Sequence, residues 1–300
     1  MPLFRSFIWK QGCEMKKPYI KYIAALLLFG SNGIVARYIT LNSYEIVLLR
    51  NLIGVLFLTV IFIASKQKFT AMKHKRDFAF IAVSGIAMGG NWMFLYEAYT
   101  RIGVSLATLA CYCGPVIVMM LAPLVFREKI TAAKLIGFIA VVSGMFLVNR
   151  RELSQSGFSF GLICGIMSAV MYAVMVIFNK KAKTITGLEN SVYQLAFSFV
   201  TVALFTLIKQ GAGMVISPQS IPAILILGVI NTGIGCYLYF SSIQHLPAQS
   251  VAICGYLEPV SALVLSSVFL NERLTAVQLI GTVLILGGAA FGELYGLRRK

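Results

Sequence analysis

A chain of 300 residues with 59% hydrophobic and only 12% charged residues cannot cover a water-facing surface, since soluble domains carry about 25% charged residues. Its mean hydropathy of +0.85 assigns it to a bilayer, where the solvent is itself apolar. The net charge of +16 does not read as a nucleic-acid footprint, because the lysines and arginines sit in short blocks between apolar runs, which is a topology signal.

Residues 1–18 form a basic N-terminal segment. Met15-Lys16-Lys17 looks like an alternative start, which would leave residues 1–14 outside the fold. The first apolar run has the basic flank of a signal peptide, but it is long enough to span and is followed by more spans, so it reads as an uncleaved first helix. In chain order the predicted spans are 19–38, 45–64, 78–98, 103–126, 131–149, 158–178, 189–208, 221–242, 248–270 and 275–295. Each is long enough to cross ~30 Å of hydrocarbon at about 1.5 Å per residue. With the N-terminus inside, nineteen of the 26 lysines and arginines fall on the inner side. Both termini are therefore expected in the cytoplasm.

Two stretches organise this series. Residues 112–144 read YCGPVIVMMLAPLVFREKITAAKLIGFIAVVSG and residues 256–288 read YLEPVSALVLSSVFLNERLTAVQLIGTVLILGG. They align without a gap at an offset of 144. Tyr112/Tyr256, Pro115/Pro259, Glu128/Glu272, Thr131/Thr275, Gly137/Gly281 and Gly144/Gly288 are identical pairs. The chain therefore reads as an internal duplication. Each half holds five helices, and because five is odd the second half enters the membrane from the opposite side. The expected fold is an all-α integral membrane protein of ten transmembrane helices in two inverted five-helix repeats, 19–149 and 158–295. The remaining parts are a short outer linker, 150–157, and a basic cytoplasmic tail, 296–300. Inverted repeats are an architecture of secondary transporters, whose site lies near the midplane between the repeats.

These features together resemble the drug/metabolite transporter superfamily, in its EamA-type ten-helix branch. The residues that carry the likeness are Pro259 with Glu272-Arg273-Leu274-Thr275 and Gly281 to Gly288, and Pro115 with Glu128-Lys129-Ile130-Thr131 and Gly137 to Gly144. Gly30-Ser31-Asn32 and Arg50 add to it. The resemblance implies a central cavity lined mainly by helices 1, 3, 4, 6, 8 and 9. It also implies peripheral helices 5 and 10, often at a homodimer contact, and a small-molecule substrate. Many bacterial members export amino acids, some of them aromatic. The leading expectation is thus a carrier working by alternating access that exports amino acids or other neutral or zwitterionic metabolites. The alternative is another cargo, such as a nucleoside, a polyamine or a cationic drug.

Polar residues within a span are expensive and therefore candidates. Glu258 lies well inside helix 9 and has Gly114 as its repeat counterpart, so the duplication did not require an acid there; substrate binding competes with a structural hydrogen bond. Asn32 and Asn231 are buried amides that serve either a substrate or a neighbouring helix. Trp92 and Tyr96 form a stripe on helix 3 that reads as a cavity wall or as plain packing. Tyr112 and Tyr256 are expected to face each other across the pseudo-axis, and Tyr172, Tyr237 and Tyr239 add hydroxyls. All of these except Tyr239 form the candidate substrate site. Pro115 and Pro259 lie inside helices and are candidate bending points. Arg50 is expected to pair locally or to snorkel outward, and Glu128 and Glu272 to be structural acids at helix boundaries. The six cysteines, His74 and His245 match no metal spacing, and no Walker, HExxH or GxSxG pattern occurs. No metal, cofactor or catalytic residue is expected.

Overall fold

The computed structural model describes residues 17–71, 73–102, 104–148, 160–211, 213–270 and 275–297. These residues form ten helical segments and no strand. They are α1 Lys17–Ala36, α2 Ser43–Ala64, α3 Lys75–Ile102, α4 Val104–Phe126, α5 Ala132–Val148, α6 Phe160–Lys181, α7 Gly187–Gln210, α8 Pro218–Ile243, α9 Ala248–Leu270 and α10 Ala276–Leu297. Eight are long and apolar enough to cross a membrane, and α5 and α10 are shorter apolar helices. Glu272 lies outside the described residues.

Local chemistry sets the boundaries. Asn42 caps α2 through bonds from the Tyr44 and Glu45 amides, and Glu45 answers by accepting from the Asn42 amide. This is a reciprocal capping box. α4 stops where Arg127 turns left-handed at φ 56°. α4 and α9 are each interrupted at one residue, Tyr112 (φ −70°, ψ −1°) and Tyr256 (φ −72°, ψ −4°). Both breaks fall three residues before a proline that cannot donate to the carbonyl four residues back. The repeats thus interrupt equivalent helices at equivalent tyrosines.

The packing shows the inversion directly. A Cβ on Gly137 would lie 2.5 Å from the Gly288 carbonyl oxygen, and one on Gly144 would lie 2.5 Å from that of Gly281. Because 281 and 288 are the repeat copies of 137 and 144, the contact maps onto itself when the repeats are exchanged. α5 and α10 therefore cross antiparallel, backbone against backbone. Gly85 and Gly89 admit Phe197 and Thr201 of α7 to α3, and their counterpart region in α8 uses Gly228 and Gly233 to admit Ile53 and Phe57 of α2. Near the axis, the Tyr112 and Tyr256 ring centroids are 6.1 Å apart, and the Tyr256 hydroxyl donates to the Tyr112 carbonyl at 2.7 Å.

This packing makes a paired test. Gly137→Val drives a side chain into the α10 backbone and is expected to lower stability by about 1–3 kcal/mol. Gly287 has nothing within 4 Å of its added Cβ, so Gly287→Ala is expected to be neutral or slightly stabilising. Thermal melts of both variants in detergent check the contrast.

Candidate functional site

Between the repeats lies a cavity of roughly 160 Å³. A buried water needs about 10–15 Å³ by this measure, so the space suits a molecule of roughly ten to fifteen non-hydrogen atoms. Equivalent positions of the two repeats line it together: Trp92 with Cys236, Leu95 with Tyr239, and Cys111 with Gly255. The cavity therefore sits on the pseudo-axis, while the side chains that fill it differ between the halves.

Of the sequence candidates, Asn32, Trp92, Tyr112, Tyr172 and Glu258 line this cavity, as does Pro115. Four do not. The Asn231 amide donates to the Leu28 carbonyl at 2.9 Å and to Ser31 Oγ at 2.7 Å, tying α8 to α1. Tyr96 packs with Tyr44 and Met93 beside α7, edge-on to Tyr99. The Tyr237 ring faces Lys21 Nζ at 5.3 Å. Tyr256 is buried beneath the wall, its hydroxyl bonded to Tyr112. Pro259 lies on α9 outside the lining.

Arg50 is the main departure from expectation. It does not reach outward: it is 8% exposed, and its guanidinium carbon lies 4.3 Å from the centroid of the Trp92 ring. Its Nε has no hydrogen-bond partner. α2 thereby joins the six helices expected around the cavity. The repeat counterpart Gln194 is fully engaged, donating to Ser84 Oγ at 2.9 Å and accepting from Asn179 at 3.3 Å. One position holds helices together in the second repeat and presents a cation to the cavity in the first. Asn91, Tyr99, Thr108 and Tyr239 complete the polar lining. Asn91 is held by Ser168, and the Tyr172 and Tyr239 hydroxyls meet at 3.3 Å.

The acids divide clearly. Glu97 accepts from the Tyr44 hydroxyl at 2.6 Å and forms ion pairs with Arg101 and Lys209. Glu189 accepts from the amides of Thr70 and Ala71, and Glu128 from those of Ala248 and Gln249. Glu258 lines the cavity with no hydrogen-bond partner for its carboxylate among the described residues. Neither it nor Arg50 belongs to an ion pair there. Asn32 Oδ1 is likewise buried and unpartnered.

An inverted ten-helix repeat built around a small cavity on its axis, lined by apolar and aromatic side chains with a few polar ones, defines a multi-pass membrane carrier. The chain belongs to the EamA-like transporter family, which it matches over residues 16–150 and again over 159–292. It is 28% identical over 274 residues to the uncharacterized transporter YxxF of Bacillus subtilis, covering 90% of this chain and 88% of that one. It is 26% identical over 226 residues to a probable amino-acid metabolite efflux pump of Salmonella typhimurium, covering 70% of this chain and 74% of that one. A solved crystal structure superposes with a TM-score of 0.80 over 94% of this chain and 99% of the other, at 18% identity, which speaks for the fold. The protein is a transporter of the drug/metabolite kind rather than an enzyme.

The geometry separates supporting from lining residues. Asn231→Ala removes two interhelical hydrogen bonds and is expected to cost about 1 kcal/mol of stability. Glu258→Gln removes an unpaired buried charge and is expected to leave the melting temperature unchanged or raise it. Thermal melts of the two variants in the same detergent read the difference.

Proposed function

We propose that this protein exports amino acids or closely related zwitterionic metabolites across the bacterial inner membrane by alternating access, with both termini in the cytoplasm. The observation that carries the reading is the pair of opposite charges, Arg50 and Glu258, that line one cavity and form no ion pair with each other or with another residue among those described, Arg50 resting on the Trp92 ring. A buried charge without a partner is costly. A zwitterion offers a carboxylate to the guanidinium, whose planar donors suit it, and an ammonium to Glu258. A polyamine or cationic drug would answer Glu258 and meet repulsion at Arg50, and a nucleoside would answer neither charge. The rings of Phe29, Trp92, Tyr99, Tyr112, Tyr172 and Tyr239 suit a flat or apolar side chain. The name of the Salmonella relative points the same way, and the lysine and arginine bias supports the orientation. Pro115 and Pro259, beside the two helix interruptions, are the proposed bending points.

Counterflow in proteoliposomes tests this with free amino acids, their methyl esters, their N-acetyl derivatives, a polyamine and a nucleoside. Free aromatic and large apolar amino acids are expected to exchange, and both blocked forms to exchange poorly. Arg50→Ala is expected to lower exchange of the free amino acid about tenfold or more with little effect on residual methyl-ester exchange. Glu258→Gln is expected to behave in the mirror sense toward the N-acetyl derivative. Exchange of the polyamine or nucleoside in place of amino acids would sink the reading.

A further inference from the structure

The first half of α9 runs from the face that carries Lys134, Lys180, Lys181 and Lys183 to Gly255, which lines the cavity. The first half of α9, Ala248–Gly255, is buried at every residue, including its terminal Gln249 and Ser250. Tyr22, also buried completely, lies against it and donates its hydroxyl to the Val251 carbonyl at 2.9 Å. The loop that leads into this segment, residues 244–247, is gripped at both ends by groups from other helices. After α4 ends in the left-handed turn at Arg127, the Glu128 carboxylate meets the first amides of α9, accepting from Ala248 N at 2.6 Å and from Gln249 N at 3.1 Å. At the other end, Lys180 of α6 donates to the carbonyls of Ile243, at 3.0 Å, and Leu246. An anion sits on helix-start amides and a cation on helix-end carbonyls, each matched in sign to the local dipole. Gln244 adds bonds to the Ala182 and Ile185 carbonyls at 2.8 and 3.1 Å.

The repeat makes the grip informative, because it states what the opposite face should have. The counterpart of the 244–247 loop is the connection between α3 and α4. The counterpart of Lys180 is Ala36, which has nothing to donate. The next residue, Arg37, is exposed and corresponds to Lys181, not to Lys180. The duplication thus repeats the acid in sequence, as Glu272, and does not repeat Lys180.

We propose that Glu128 and Lys180 are positioning residues that latch the cavity shut on the lysine-rich face, and that Lys180 biases the unloaded carrier toward that shut state. Neither residue lines the cavity; both act through the α8–α9 loop. For an exporter this face is the loading side, so loading requires the latch to open, and the latch returns the empty carrier to the shut form. The inference rests on alternating access and on no particular substrate.

Cys111 lines the cavity and serves as reporter once the other five cysteines are replaced. A membrane-impermeant maleimide is applied to right-side-out and inverted vesicles containing the full chain without substrate. With the native latch, Cys111 is expected to label from the face opposite the lysines. Lys180→Ala and Glu128→Gln are each expected to raise the labelling rate from the lysine-rich face about tenfold or more, as loss of hydrogen bonds to a charged group implies. Lys180→Arg is expected to restore the native sidedness, which a general loosening of the fold would not. Unchanged labelling in both variants, with melts showing folded protein, overturns the proposal. So does labelling of the unaltered latch from the lysine-rich face. Should Lys180→Ala fail to fold, Glu128→Gln, which keeps the side chain's size and loses its charge and one of its two acceptor oxygens, decides alone. Because no substrate is added, this outcome is separable from a failed amino-acid assignment.

Discussion

An odd number of helices per repeat is the constraint on which the rest of this structure depends. Five crossings return the chain to the far side, so the second copy must enter the bilayer upside down. The two copies then meet about an axis lying in the membrane plane. Any residue near that axis meets its own counterpart. Tyr112 therefore finds Tyr256, and Gly137 finds Gly288, the repeat copy of Gly144. These contacts need no separate specification, because one sequence motif supplies both sides. The cavity arises from the same geometry, since helices interrupted at equivalent tyrosines leave space on the axis where neither copy can fill it alone.

The bilayer then sorts the polar residues. In hydrocarbon an unsatisfied group has no water to fall back on, so almost every buried ionisable group is bound within the protein. Glu97 has a hydroxyl and two cations, Glu189 and Glu128 have backbone amides, and Lys180 has carbonyls. Against that background Arg50, Glu258 and Asn32 Oδ1 stand apart because they face one cavity with no ion pair or hydrogen-bond partner found for Arg50 Nε, the Glu258 carboxylate or the Asn32 oxygen among the described residues. The repeat sharpens the contrast. Glu258 replaces a glycine at position 114 that leaves room only for the Tyr172 ring, since a Cβ there would lie 2.7 Å from Tyr172 Cδ1. Arg50 replaces a glutamine that is fully bonded. The scaffold is symmetric and the chemistry of the cavity is not.

Much of the fold was legible in the sequence, because hydrophobic length and a constant offset both survive without knowledge of any contact. The site was legible in part. Glu258 could be singled out because its counterpart is glycine. The inward place of Arg50 was hidden, because depth alone suggests snorkelling, whereas its neighbour across the helix pair, Trp92, lies 42 positions away and holds the guanidinium inward. The places of Asn231, Tyr96 and Tyr237 were hidden for a related reason. Helical periodicity groups residues on a face, but not which face turns to the axis; that is set by close glycine contacts such as Gly228 on Ile53. The partner of Glu128 lies 120 residues away, beyond any local pattern.

Helix α8 shows how the symmetric frame accommodates an asymmetric site. Its counterpart α3 is an unbroken α-helix, but residues Ile226–Ile234 of α8 form a π-helical stretch. Within it the Thr232 hydroxyl donates to the carbonyl of Leu227, five residues back. A wide turn of this kind rotates the residues after it relative to those before it, and such turns are frequent at functional sites. Here it separates Asn231, whose amide anchors α1, from Cys236 and Tyr239, which line the cavity. α3 achieves the same division with a regular helix by using Asn91 to grip α6 and Trp92, one residue on, to face the axis. The two halves thus solve one packing problem by different means. The difference is confined to the turn that sets side-chain direction at the cavity, where a carrier for an asymmetric molecule must depart from its own symmetry.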